Sequence, residues 1–360
     1  MSESLISVFS TSPPSSNCSE SDFAATTARV AQWSEKYGCT GTLVYTDNSM
    51  VDPWLVSQII LQNTKKLCPL VAVQPVYTHP YTVAKMVTTL AFLYGRRIYL
   101  NMVAGGFKND LSSLDDHTPH DERYLRLAEY TTIIKRLLSS RAEISYEGEY
   151  YRIKNVKMTP ALQPGLMPGI FVSGSSDAGL AAARAMEATA IMYPRPAAEC
   201  EHTALPSDLA CGIRVGIIAR PNDDEAWSVA QQRFPGDRRG QLTHQLTMKT
   251  SDSVWHKHLS SLADENGSNG GTYWLWPFQN YKTFCPYLVG SHKRIVDEIS
   301  RYVALGNRTF ILDVPLFEED LLHTSAVFEK VSQGICQSHG ADAASIQSPG
   351  PRTMATPILP

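Results

Sequence analysis

The sequence predicts an α/β protein of the (β/α)8 TIM barrel type, with insertions, in which residues 1–335 form a single domain. Two observations predict this fold class. Short apolar, β-branched segments alternate with longer amphipathic ones, and glycines follow several of the amphipathic segments. Near-continuous apolar strands separated by helices are typical of a parallel sheet covered on both faces. Eight such units in about 310 residues suit a closed barrel better than an open sheet.

Eight segments have the length and composition of strands. They are Leu5–Phe9, Gly41–Tyr45, Pro69–Val73, Ile98–Met102, Ile170–Val172, Ala188–Met192, Ile213–Ile218 and Thr309–Leu312. Seven segments between them have helical spacing. They are Phe23–Lys36, Pro53–Gln62, Val83–Tyr94, Asp121–Leu138, Asp177–Ala185, Asp224–Arg233 and His292–Ala304. Gly38, Gly95 and Gly306 each follow one of these helices, where a left-handed C-terminal cap favours glycine.

Three stretches depart from the repeat. Residues 146–156 alternate in polarity and predict a β-hairpin. Residues 236–285 form a long insertion rich in Gly, Ser and aromatic residues, which we expect to be a lid over the site. Residues 340–360 are rich in Pro, Ala and Ser, and we expect a disordered tail.

Composition and charge favour a small-molecule partner. The 32 Lys and Arg against 35 Asp and Glu give a net charge of −3, so no general attraction to nucleic acid or an anionic membrane is expected. No apolar run is long enough to span a membrane, and the N-terminus has no secretory signal pattern. We therefore expect a cytoplasmic protein.

The chain lacks several common catalytic motifs. The seven cysteines form no CxxC pair and are expected to be reduced thiols, and no HExxH motif occurs, so metal catalysis is not expected. No GxSxG, P-loop or GxGxxG sequence is present. Their absence removes the usual hydrolase, NTPase and dinucleotide-fold interpretations.

Three local patterns could carry a ligand. Gly174, Ser175 and Ser176 lead from a strand into a helix, where free N–H groups and two hydroxyls could hold a phosphate or simply cap the helix. The 103–106 segment, Val-Ala-Gly-Gly, permits a close backbone approach to a flat or anionic ligand, or forms an ordinary tight loop. His120 and Tyr124 lie one turn apart at a helix start, as ligand contacts or as an exposed polar turn.

Arg214 lies within an apolar strand, where an unpaired cation would be costly. It must meet a carboxylate, a ligand anion or water, so a structural ion pair and a substrate role both stay open.

In this order, the patterns resemble the luciferase-like, reduced-flavin-dependent monooxygenases, most closely their alkanesulfonate monooxygenase branch, over roughly residues 25–325. The segments that carry the resemblance are 52–56 (DPWLV), 70–75 (LVAVQP), 100–105 (LNMVAG), 120–124 (HDERY), 147–150 (EGEY), 174–177 (GSSD), 212–214 (GIR), 222–227 (NDDEAW), 288–290 (LVG) and 305–312 (LGNRTFIL).

This resemblance implies a barrel that binds FMNH2 supplied by a separate NAD(P)H:flavin reductase. It also implies reaction of the flavin with O2 through a C4a-peroxide, and a homodimer or homotetramer. The implied phosphate and ribityl contacts are Gly174, Ser175, Ser176, His120 and Tyr124. The implied border of the isoalloxazine ring is formed by Ala72, Val103 and Ala104.

The chain departs from the sulfonate branch where that branch contacts its substrate. Met50 stands in place of a cysteine, and Gly216 in place of a histidine. A glycine-rich, arginine-bearing lid loop is replaced by residues 274–282, and the tyrosine expected near Val314 is missing. We therefore expect a larger, less anionic substrate than an alkanesulfonate, oxygenated in specialised metabolism.

The resemblance also assigns roles near the substrate. Arg214 and Lys282 are the candidate active-site cations. The expected substrate pocket includes Met50, Gly216, Tyr193 and Trp276. The lid aromatics could equally serve packing or a dimer contact. The alternatives to a monooxygenase are an F420-dependent oxidoreductase on the same barrel and a non-catalytic flavin-binding accessory subunit.

Overall fold

The computed structural model describes residues 6–200, 205–250, 259–262 and 271–345 of the 360-residue chain. The strands are β1 (Ser7–Thr11), β2 (Gly41–Val44), β3 (Cys68–Val73), β4 (Tyr99–Met102), β5 (Ile144–Glu147), β6 (Arg152–Val156), β7 (Ile170–Ser173), β8 (Thr189–Met192), β9 (Cys211–Arg220), β10 (Tyr273–Trp274), β11 (Tyr287–Ser291) and β12 (Asn307–Leu312).

The helices begin with the long elements that cover the barrel. They are α1 (Glu20–Lys36), α2 (Pro53–Asn63), α3 (Pro80–Tyr94), α4 (Lys108–Ser113), α5 (His120–Ser139), α6 (Asp177–Ala185), α7 (Ala197–Cys200), α8 (Asp223–Arg233), α9 (Arg238–Thr250), α10 (Trp276–Gln279), α11 (His292–Ala304) and α12 (Glu318–Ser345). Short 3-10 turns cover Ser15–Asn17 and Pro164–Leu166. None of the described helices combines the length and the apolar composition that a membrane span needs.

Eight parallel strands close the predicted barrel. Their order is β1, β2, β3, β4, β7, β8, β9 and β12, and β12 pairs with β1 to complete the circle. All eight strands predicted from the sequence are barrel strands, and the fold class is confirmed. The predicted hairpin is also present, as the antiparallel pair β5 and β6.

Strand β9 takes part in two pairings. Residues 211–215 pair with β12 inside the barrel, whereas residues 216–220 pair with β11. Strand β11 in turn pairs with the antiparallel β10. The insertion between β9 and β12 is therefore attached to the barrel through the second half of one strand. Strand β11 was not predicted, because it lies at the junction of the expected lid and the following helix.

Local signals explain where the helices begin and end. The Asp52 side chain accepts hydrogen bonds from Trp54 N (2.9 Å) and Leu55 N (3.1 Å), which caps α2, and Pro53 takes the first helical position. Gly95 ends α3 with φ of 64°, a left-handed conformation that costs glycine little. Helix α12 continues to Ser345, six residues into the segment expected to be disordered. Residues 346–360 lie outside the described part of the chain.

The lower barrel interior is filled by apolar side chains. The buried members of this cluster are Phe9, Leu43, Leu70, Phe171, Ile191 and Ile311. The rings of Phe9 and Phe171 meet edge to face with centroids 5.2 Å apart. Because strand side chains alternate with a period of two, the next inward positions lie one layer closer to the C-terminal ends. Those positions form the floor of the site described next.

Candidate active site

A cavity of about 170 Å³ opens at the C-terminal ends of the barrel strands. This volume is roughly ten times what one water needs, so the cavity accommodates an organic ligand. It lies at the end of the barrel where enzymes of this fold bind substrates. Its lining residues are Leu43, Tyr45, Thr46, Asp47, Ala72, Gln74, Asn101, Val103, Ala104, Gly105, Gly106, Phe107, His120, Arg123, Tyr124, Ser173, Gly174, Ser175, Ser176, Tyr193, Arg214 and Phe284.

Ten of the residues singled out from the sequence line this one cavity. They are Ala72, Val103, Ala104, His120, Tyr124, Gly174, Ser175, Ser176, Tyr193 and Arg214. They come from five barrel strands, the strand-to-helix turns that follow, and the first turn of α5. Segments more than 100 residues apart in the chain therefore meet at one site.

One end of the cavity is built around the N-terminus of α6. Ser176 caps this helix by accepting a hydrogen bond from Gly179 N at 3.1 Å. The first amides of a helix have no partner within it, and the helix dipole favours an anion there. Gly174 is required at this turn, because a Cβ at that position would lie 2.6 Å from the Tyr124 hydroxyl oxygen. The close approach of Tyr124 to this turn thus depends on glycine.

Helix α5 supplies the facing side chains. The rings of His120 and Tyr124 are 5.2 Å apart, and Arg123 between them in sequence is buried and lines the cavity. Burial raises the pKa of Tyr124, against a hydrogen bond with Ser176 that lowers it. The phenol therefore stays protonated and can donate a hydrogen bond. A guanidinium, a phenol, hydroxyls and helix amides at one end suit a phosphate group.

A buried ion pair braces the start of α5. Arg126 Nη2 lies 2.5 Å from Asp116 Oδ2, and Thr118 also donates to Asp116 through its hydroxyl at 2.6 Å. Burial alone would raise the pKa of Asp116, but the hydrogen bonds from Arg126 and Thr118 outweigh it and lower the pKa to about 2. The ionised carboxylate fixes the loop that leads into His120.

The other end of the cavity contains Arg214. Its guanidinium carbon lies 5.5 Å from the ring centroid of Tyr45, and its Nε atom is buried without a hydrogen-bond partner in the described part of the chain. Burial opposes its charge, but the nearby Tyr193, Cys285 and Asp313 raise the pKa of Arg214 overall. Burial also raises the pKa of Tyr45 to about 12. The cavity thus ends at a permanent cation between neutral phenols.

Gly216 does not open space for a substrate, contrary to the expectation from its small size. A Cβ at this position would overlap the ring of Tyr287, which comes from β11. The hydroxyl of Tyr287 donates to Asp313 Oδ2 at 2.8 Å and holds the ring there. The volume of the missing imidazole is therefore filled by an aromatic ring from elsewhere in the chain.

Met50 also lies away from the cavity. It lines a separate pocket of about 10 Å³, formed with residues 12–15 and Val56, which is about the size of a single water. The loop that carries Met50 turns its neighbours Asp47 and Asn48 toward the cavity rim instead. Asn48 Nδ2 donates to the backbone oxygen of Asp110 at 3.0 Å. The expected pocket roles of Met50 and Gly216 are thus not supported by their positions.

Lys282 and Trp276 are engaged in contacts within the lid. Lys282 Nζ lies 2.5 Å from Asp237 Oδ2, and Trp276 Nε1 donates to the backbone oxygen of Phe234 at 3.2 Å. Neither residue lines the cavity in the described part of the chain. The lid reaches the cavity through Phe284 instead. Parts of the predicted lid, residues 251–258 and 263–270, lie outside the described residues.

Sequence reasoning missed several lining residues that a simple signal could have found. Tyr45, Asn101 and Ser173 each follow a buried inward residue by two positions along a strand. Ser173 donates its hydroxyl to Asn101 Oδ1 at 3.0 Å, which ties β7 to β4 at the cavity floor. Arg123 is adjacent in sequence to the predicted Tyr124. Phe284 has no comparable signal, because the course of the lid is not periodic.

The fold and this cavity define a class of protein: a (β/α)8 barrel whose site has an anion-binding end and a buried cation at the other end. No group of three or more His, Cys, Asp or Glu side chains in the described part of the chain is placed to hold a metal ion. Residues 5–309 match the family described as luciferase-like monooxygenase, and the chain belongs to this family.

Known relatives extend this assignment. The chain is 34% identical over 320 residues to 4-(gamma-L-glutamylamino)butanoyl-[BtrI acyl-carrier protein] monooxygenase BtrO from Niallia circulans, covering 87% of this chain and 93% of that one. It is similar in fold to EDTA monooxygenase EmoA from Chelativorans sp. BNC1, with a TM-score of 0.67, 15% identity, and 93% and 94% of the two chains covered.

An F420-dependent secondary alcohol dehydrogenase is also similar in fold. The TM-score is 0.62 at 15% identity, and 91% of this chain and 99% of that chain are covered. At such identities the likeness concerns the fold alone. The cofactor must therefore be argued from the residues of the cavity.

Proposed function

We propose that the protein is a two-component monooxygenase that uses FMNH2, delivered by a separate NAD(P)H-dependent flavin reductase, and O2 to oxygenate an organic substrate. One observation carries this proposal. A single cavity joins a phosphate-compatible end at α6 to the buried guanidinium of Arg214. The membership in a monooxygenase family and the relationship to BtrO support it.

The residues present fit a flavin mononucleotide. Gly174, Ser175 and Ser176 would hold the phosphate, together with Tyr124 and His120 across the cavity. Ala72, Val103 and Ala104 would border the isoalloxazine ring with small apolar side chains. When bound, FMNH2 would supply the electrons that activate O2 and so allow one oxygen atom to be transferred. The protein's own contribution is to position the ligands and exclude water.

The substrate that we propose is an acyl group carried by an acyl-carrier protein, rather than an alkanesulfonate. The name of BtrO, which is 34% identical to this chain, describes such a substrate. Arg214 supports a substrate with a polar or anionic group at its far end, because its buried Nε would gain a hydrogen bond. Tyr193 lies beside Arg214 and would contact the same part of the substrate.

An anaerobic binding titration tests the cofactor. Purified protein is titrated separately with FMNH2 and with reduced F420. We expect saturable binding of FMNH2, and at least tenfold weaker binding to the Ser175→Ala/Ser176→Ala variant, since hydroxyl contacts to a phosphate contribute about 1.5–3 kcal/mol each. Binding of reduced F420 in preference to FMNH2 would show a hydride-transferring enzyme instead.

Two further variants separate cofactor contact from helix stability. Ser176→Asp retains a capping side chain for α6, yet places a carboxylate beside the expected phosphate. We expect it to bind FMNH2 worse than wild type while its thermal unfolding temperature is unchanged. Ser145→Ala, on the exposed hairpin strand β5, should bind as wild type does.

Turnover tests the reaction and the substrate together. The probe is the BtrI acyl-carrier protein loaded with the 4-(gamma-L-glutamylamino)butanoyl group, with FMNH2 regenerated by a flavin reductase. The expected result is a product heavier by one oxygen atom, found by mass spectrometry. FMNH2 binding without any substrate oxygenation would favour the accessory-subunit alternative. The homodimer or homotetramer expected from the family stays a prediction for analytical ultracentrifugation.

A further inference from the structure

Helix α9 presents an exposed face beside the cavity that the proposed chemistry does not use. Arg238 and Arg239 are exposed in its first turn, and Leu242 and Leu246 follow at helical spacing with 55% and 65% of their surfaces exposed. Within the described part of the chain neither arginine forms an ion pair. The face therefore combines two uncompensated cations with two adjacent leucines.

The stability of α9 does not explain these arginines. Cations in the first turn of a helix are disfavoured by the helix dipole, and no acidic residue lies in this first turn. The helix is instead capped from outside it, because Asp237 Oδ1 accepts from Gly240 N at 3.0 Å. The charge of Asp237 is already matched by Lys282. The positive charge of this face is thus available to another molecule.

The opposite face of α9 is packed against the lid segment that reaches the cavity. The ring of His244 lies 4.7 Å from that of Phe278 and 6.5 Å from that of Tyr281. Tyr281 in turn meets Phe284, which lines the cavity, with ring centroids 5.7 Å apart. A molecule bound to the outer face of α9 would therefore sit next to the cavity entrance, separated from it by one layer of aromatic side chains.

We infer that the outer face of α9, formed by Arg238, Arg239, Leu242 and Leu246, is the docking surface for a carrier protein with an acidic recognition face. This inference rests on the proposed function, in which the substrate arrives attached to a carrier protein. Charge complementarity guides such an encounter, and apolar side chains amid the charges hold it. The carrier's flexible arm then enters the cavity beside Phe284 and places the acyl group between the flavin site and Arg214.

A double charge reversal tests the docking surface. Arg238→Glu/Arg239→Glu should fold, because glutamates are favoured in the first turn of a helix. The matched control is Lys154→Glu/Lys157→Glu, which makes the same change of charge at two exposed lysines on and after β6, outside the barrel wall. Binding of the BtrI acyl-carrier protein without an acyl group is measured by isothermal titration calorimetry at low ionic strength, and needs no turnover.

We expect binding to Arg238→Glu/Arg239→Glu to be at least tenfold weaker than to wild type, and binding to the lysine control to be within twofold. Binding to wild type should weaken as salt is added, because screening reduces the attraction between exposed charges. Equal binding by wild type and the arginine variant would overturn the inference. So would an absence of carrier binding to wild type.

Kinetics distinguish this inference from the proposed function. With the acyl group on the carrier, the arginine variant should show a raised KM and an unchanged kcat. With the same acyl group on N-acetylcysteamine, a small thioester, variant and wild type should be equal. Equal losses with both substrates would overturn docking and indicate that α9 shapes the cavity. Carrier binding that depends on the arginines, without oxygenation of either thioester, would support docking and contradict the proposed reaction. A change of oligomeric state in the variant would show a contact between copies and overturn the inference.

Discussion

The two ends of the cavity are built in different ways. The end near α6 consists of two short segments, residues 174–177 and 120–124, whose ligand-facing groups are neighbours in sequence. The end near Arg214 collects side chains from β2, β8, β9 and the lid, and from β11 through Tyr287. Short-range patterns define the first end, whereas only the folded chain defines the second. A site can therefore be half visible in a sequence.

The largest effect that distinguishes the two ends is expected at Arg214. Replacing it with Met removes the buried cation and should lower kcat/KM for the carrier-bound acyl substrate about 100-fold, or about 3 kcal/mol. Binding of FMNH2 should change less than threefold, because the phosphate end is intact. Steady-state kinetics and anaerobic titration check both statements. Arg214→Lys keeps the charge without the planar fork and should retain intermediate activity. Comparable losses of flavin binding and turnover would remove the distinction between the two ends.

A second effect concerns the long-range packing behind Arg214. Gly216→His restores the side chain found in the sulfonate branch, but the imidazole has to displace the ring of Tyr287. We expect a loss of about 2 to 3 kcal/mol in the free energy of unfolding, measured by urea denaturation. Adding Tyr287→Ala should recover part of this loss in a double-mutant cycle. A stable Gly216→His single variant would show that the space is open after all.

The smallest effect tests the local brace of the phosphate end. Asp116 has a pKa lowered from 3.8 to about 2, so its ionised form stabilises the fold above pH 3.8, and this stability is lost as the pH falls through 2. Asp116→Asn should therefore be less stable than wild type by about 2 kcal/mol at neutral pH. That difference should shrink toward zero near pH 2. Glu122→Gln, an exposed change on the same helix, should have little effect at either pH. A pH-independent difference for Asp116→Asn would assign its role to packing.

The fold was largely predictable because its signals are local. Strand periodicity, helix caps such as Asp52 and the left-handed Gly95 lie within a few residues of the elements they define. The segments missed from the sequence have other causes. The short helix α4 has no long amphipathic pattern. Strand β11 exists as a strand because it pairs with the distant residues 216–220.

The same reasoning explains the site. Ser175, Ser176 and Tyr124 were predictable, because a strand-to-helix turn and one helix face place them. The expected roles of Lys282 and Trp276 rested on a lid whose path no short-range pattern determines. In the structure they bind Asp237 and the Phe234 backbone instead. Gly216 illustrates the general difficulty, because a missing side chain in a sequence does not show what fills its volume.

Strand β9 belongs to two pairings at once, and this has a consequence for how such proteins diversify. Its first half closes the barrel with β12, while its second half supports β11 and the lid. Residues 221–306 can therefore be exchanged or lengthened in evolution without breaking the ring of eight strands or disturbing α6. One half of the strand conserves the chemistry of the ancestor, and the other half lets each descendant acquire its own substrate.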